Sequence, residues 1–146
     1  MLKDQSAVRQ TGIKHHYVQL MGKKPYPELA LKTGDVLRTL VPAAGHLIHM
    51  PTHIDVLCGH YHNVLVDNQR AIHADLEYYE KSGAMNFYTA YRIHNYHFAI
   101  YAAMFLGQYE PAPAPAEALA ETTPAHLRRL PSPPSAAFLD SYLPRQ

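Results

Sequence analysis

Apolar residues along the first two thirds of the chain recur three and four positions apart, as at Leu29, Val36, Leu37 and Leu40 and again at Ile54, Leu57, Val64 and Leu65. That spacing returns side chains to one face of a helix with about 3.6 residues per turn, not to one face of a strand. Prolines at positions 25, 27, 42 and 51 and glycines at 22, 45, 59, 83 and 107 interrupt the pattern, as helix ends require. No Asn-Gly or Asp-Gly hairpin signal and no sustained alternation occurs. The pattern predicts an all-α domain over residues 10–109. Beyond it, Pro111-Ala-Pro-Ala-Pro-Ala116 is an extended spacer, and residues 110–146 are expected to form a proline-rich linker and a loosely ordered C-terminal tail, with room for one short helix from Glu117 to Glu121.

The helical region repeats. His16–Gly22, His53–Gly59 and Tyr101–Gly107 each end in a glycine followed by tyrosine, closely at Tyr61 and Tyr109 and later at Tyr26. A helix, a Gly-x-Tyr turn and a second helix with small residues near its end resemble the tetratricopeptide repeat. This resemblance implies about three stacked helix pairs whose first helices line a concave groove. The glycines are 37 and 48 residues apart (22 to 59, 59 to 107), against about 34 in that repeat, so longer turns must absorb the excess.

Counting back from the glycines brings the histidines into register. His46, His49 and His53 stand 13, 10 and 6 residues before Gly59. His94 and His97 stand 13 and 10 before Gly107, with Tyr101 in the third slot, and His16 stands 6 before Gly22. Positions i, i+3 and i+7 lie within about 60° of one another on a helix. The slots therefore form one stripe on each first helix, and neighbouring stripes face a common groove. Neutral imidazoles without thiolates suit a divalent transition metal, copper, iron or zinc, with an open coordination position. The expected ligands are His46, His49, His53, His94, His97 and His16, with His15 the alternative to His16. His60, His62, His73 and His126 lie off the stripe and are expected on the surface.

Pro51 falls inside the segment that carries the middle histidines. Either it kinks one helix and turns His49 and His53 toward a common point, or it opens a helix and leaves His46 to Met50 in a loop. Asp55, Asn68, Asp75 and Asn95 are candidate acceptors for imidazole N–H groups. Asn68 and Asp75 are alternatively turn-bridging residues. Tyr101 is the candidate catalytic side chain, as a phenol donor or as a radical carrier at a redox-active ion.

Composition narrows the function. Thirteen basic and twelve acidic side chains leave a net charge of +1, too balanced for a phosphate-neutralising nucleic-acid binder or a polybasic membrane surface. One cysteine, Cys58, excludes an internal disulfide and fits a reducing, cytoplasmic setting. No apolar run approaches a membrane span. Phosphate-loop, dinucleotide and serine-elbow motifs are absent.

The stretch Gly45-His-Leu-Ile-His-Met-Pro-Thr-His-Ile54, with Asn68-Gln-Arg-Ala71, Asp75 and His94-Asn-Tyr-His-Phe98, resembles a family of microbial and fungal tetratricopeptide-like proteins over about residues 15 to 109. The resemblance implies the helical-repeat fold. It also implies a further histidine and a glutamate where this chain has Gln19 and Gly22, and additional repeats on both sides. The expectation is a short relative or a fragment, marginally stable, that oligomerises or lacks further repeats. Two functions follow: a metal-dependent oxidoreductase or hydrolase acting on a small molecule, or a non-catalytic scaffold that binds a peptide in the groove.

Overall fold

The structure, a computed structural model, describes residues 10–83 and 88–108, and the elements among them are helical, with no strand. The proline-rich tail, the 117–121 segment and His126 lie outside the described residues. Helix α1 spans Thr11–Met21, and a 3-10 turn, Pro27–Ala30, leads into α2, Leu31–Leu40. Two short helices follow, α3 (Gly45–His49) and α4 (Thr52–Leu57), then the long pair α5 (Tyr61–Ser82) and α6 (Tyr88–Phe105). None of these helices is long and apolar enough to cross a membrane.

At Pro51 the structure takes part of each sequence alternative: His46 to His49 is helix, and a second helix opens at Thr52 with Pro51 as its N-cap. Met50 (φ −53°, ψ −39°) and Pro51 (φ −60°, ψ −26°) both keep right-handed helical dihedrals, and His46 to His49 is helix rather than loop. Proline brings no N–H to the ladder, and the segment is divided there into two short helices.

Two of the three glycines that serve as counting points, Gly59 and Gly107, end their helices alike. At Gly59 (φ 76°) the His60 N–H donates to the Asp55 carbonyl at 2.8 Å, and at Gly107 (φ 66°) the Gln108 N–H donates to Ala103 at 2.9 Å. This six-to-one bond across a left-handed residue is the Schellman cap, which a Cβ would strain. Gly22 differs: it stays right-handed at φ −60° and continues the turn of α1.

Helices α5 and α6 run antiparallel, with Tyr78 against Tyr88 at 4.8 Å between ring centroids and Tyr61 stacked on Phe105 at 4.6 Å. Val64, Leu65 and Ile72 of α5 pack on Tyr96, Ala99, Ala102 and Ala103 of α6, where the alanines permit close approach. A second core of Val18, Ala30, Leu37, Met50 and Ile54 joins α1 to α4. Polar pairs connect the layers. Arg38 of α2 donates to Asp55 of α4 at 2.9 Å and to Asp67 of α5, all three side chains being buried. Histidines from α1, α3, α4 and α6 come ring to ring.

Candidate metal centre

Three imidazoles converge. Ligand-capable atoms of His49, His53 and His94 all lie within 4.8 Å of one another. Ring centroids are 4.8 Å apart for His49–His53, 4.7 Å for His49–His94 and 5.6 Å for His53–His94. Two imidazoles sharing one zinc at about 2.1 Å per bond place their ring centres roughly 5 Å apart. The observed spacings match that requirement.

His49 is the anchor, with no exposed surface. Its Nδ1 lies 2.7 Å from Asn68 Oδ1, and its Nε2 lies 3.0 Å from His53 Nε2. The tautomer follows from the surrounding bonds. Asn68 Nδ2 donates to the Val64 carbonyl at 2.8 Å and to Thr52 Oγ1 at 3.1 Å. A carbonyl can only accept, so Oδ1 is the asparagine atom that faces His49. The proton therefore sits on His49 Nδ1, and Nε2 presents its lone pair to His53 Nε2. Thr52 closes the network by donating to the His49 carbonyl at 2.7 Å.

Burial keeps these rings neutral. It lowers His49 well below the ordinary imidazole value, with His53 and His94 adding repulsion. His53 is pushed down to about 4 by burial, then by His94 and His46. Burial lowers His94 as well. Each therefore offers a lone pair at neutral pH, the form a metal ion takes.

The structure sorts the remaining candidates. His46 sits beside the triad, 6.4 Å from His49 between centroids, under the ring of Tyr91 at 4.3 Å. His97 lies beyond His94 at 6.2 Å. His16 is exposed on α1, whereas half-buried His15 reaches His46 at 5.2 Å, so the inward residue is His15. Tyr101 lies farther along α6, where its ring neighbours are Phe105 at 4.7 Å, Tyr61 at 6.4 Å and His97 at 6.5 Å. His60, His62 and His73 are exposed.

Of the four expected acceptors, Asn68 alone bonds a triad imidazole among the described contacts. Asp55 turns instead to Arg38, and Asn95 Nδ2 donates to Asp75 at 2.7 Å. Asp75 is buried against Gly45, and burial pushes its carboxyl up to about 6. Phe98 was not expected at the site, yet its ring lies 4.8 Å from His49, 4.6 Å from His53 and 4.8 Å from His94. Its signal was available, since Phe98 stands one helical turn after His94. A cavity of about 390 Å³ opens beside His53 and Phe98, walled by Val18, Met50, Val56 and Leu57, with Gln19 and Lys23 also lining it.

Comparison with protein-family models, with curated proteins and with solved structures finds no match to this chain.

Proposed function

We propose that this chain is a metal-binding helical-repeat protein whose ligands are His49, His53 and His94. The observation that carries the reading is the convergence of one buried and two half-buried imidazoles, with the tautomer of the buried one set by Asn68. Nitrogen-only donors select copper, iron or zinc over calcium or magnesium. Three protein ligands leave a coordination position open, the arrangement of catalytic rather than purely structural zinc sites. A bound ion would supply Lewis-acid activation of water or, if redox-active, electron transfer. The chain's own part is to hold three neutral rings, to shield them with Phe98, and to admit a small, largely apolar molecule through the cavity beside His53.

The repeat reading rests on the shared Schellman caps at Gly59 and Gly107 and on histidines carried by successive helices before them. We assign the architecture to a diverged tetratricopeptide-like array on that basis.

The test is elemental analysis of purified, untagged protein beside a His53→Ala/His94→Ala variant. Near-stoichiometric copper, iron or zinc that disappears in the variant is the expected result. Wild-type protein that neither carries nor takes up any of the three metals overturns the reading and leaves a peptide-binding scaffold, whose binding survives a chelator.

A further inference from the structure

His15 and His46 belong to helices far apart in sequence, yet their rings meet edge to face at 5.2 Å between centroids. This spacing falls inside the 4.7–5.6 Å range of the triad pairs. Each ring also carries a buried nitrogen, His15 Nε2 and His46 Nδ1, that makes no hydrogen bond to the protein. Leaving one buried polar atom unpaired costs about 1–3 kcal/mol, and native structures leave few. Two such atoms on adjoining imidazoles are groups that one shared ligand would satisfy.

Its chemistry follows from the donors. Both donors are imidazole nitrogens, which suit a transition metal better than a hard cation. Tyr91 packs on the His46 ring at 4.3 Å and holds its plane. The pair also adjoins the triad, since His46 stacks toward His49 at 6.4 Å with only 25° between ring planes.

We propose that His15 and His46 form a second position for a divalent transition-metal ion, next to the one held by His49, His53 and His94. The inference rests on the metal-binding reading of that triad and extends it from one ion to two. Two protein ligands leave most of the second ion's coordination to water or to a substrate oxygen. This favours small molecules with oxygen donors able to contact both ions.

Zinc alone is a sufficient probe. The full chain is stripped with a chelator, dialysed to equilibrium against buffered zinc at neutral pH, and its metal content measured. Two zinc ions per chain are expected in the wild type. One is expected in His15→Ala/His46→Ala, and also in His15→Phe/His46→Phe, which keeps the ring packing on Tyr91 but removes the nitrogens. His16→Ala, altering the exposed neighbour, should still take up two. A wild type that binds one zinc, lost in His53→Ala/His94→Ala but kept in both His15/His46 variants, overturns the second position and leaves the triad standing. A wild type that binds none overturns both.

Discussion

Asn68 shows how much one side chain decides. It lies on the buried stripe of α5 with Val64, Ala71 and Ile72, where an amide among apolar neighbours must find partners or destabilise the fold. Its three bonds hold His49 in one tautomer and bind α5 to the kink at Thr52. Replacing it by Ala strands His49 Nδ1 and removes a donor from Thr52. Asn68→Ala should lower stability by about 1–3 kcal/mol and weaken metal affinity by roughly 10–100-fold. Denaturant melts and competitive metal titration check the two effects separately; unchanged affinity in a folded variant would remove Asn68 from the site. The sequence offers Asn68 as an acceptor for an imidazole N–H or as a turn-bridging residue, and only the packing of α5 against His49 decides between them. The same expectation did not hold for Asp55, for a physical reason. A buried carboxylate gains more from the Arg38 guanidinium than from a neutral imidazole, and residue spacing does not reveal that Arg38 lies within reach.

Helix α3 and the bend after it place two of the three ligands. His49 and His53 are four residues apart, and the right-handed dihedrals through Met50 and Pro51 bring their Nε2 atoms to 3.0 Å. The i, i+3, i+7 stripe assumed one straight helix, so its slots do not map onto the observed cluster. His94, from the first slot, joins His49 and His53, from the second and third. Gly45 explains how α3 comes so near α5. A Cβ built there would lie 2.2 Å from Asp75 Oδ1 and 2.6 Å from the Ala71 carbonyl oxygen. The backbone carbonyl cannot swing aside, so Gly45→Ala must push α3 away from α5. We expect a loss of about 2–3 kcal/mol together with weakened metal uptake, since His46 and His49 ride on the displaced helix. Thermal melts and metal analysis of the variant check this, and wild-type behaviour in both would refute the packing account. The glycine was visible as punctuation; its tight packing depends on residues 26 and 30 positions later.

Across the whole molecule, the neutral histidines link folding to pH. Burial, with like-charge neighbours at most of the sites, lowers His15, His46, His49, His53, His94 and His97 from an ordinary value of 6.5. Their lowered values mean the unfolded chain binds more protons as pH falls below 6.5. Stability is therefore full above that pH and is lost as pH falls toward about 4, where His46, His53 and His97 titrate in the fold. Asp75 acts in the opposite sense: raised to about 6, it favours the fold below the ordinary carboxylate value and loses that contribution as pH rises to 6. Six groups outweigh one. Chelator-treated protein should lose on the order of several kcal/mol between pH 7 and pH 4.5, measurable as a falling denaturant midpoint. A midpoint constant over that interval would show the rings to be solvated.

Helical periodicity, the glycines that close helices at 59 and 107 and the supply of histidines are local properties, and the chain written in one dimension already contains them. The grouping of the rings is not local. Whether His94 or His97 meets His49, and whether His15 or His16 turns inward, depends on how α1, α3, α4 and α6 are staggered and rotated against one another. That stagger is set by contacts between distant residues: Gly45 beneath Asp75, Arg38 between Asp55 and Asp67, and the alanines of α6 against α5. Periodicity states which residues share a face of one helix; only packing decides which faces meet.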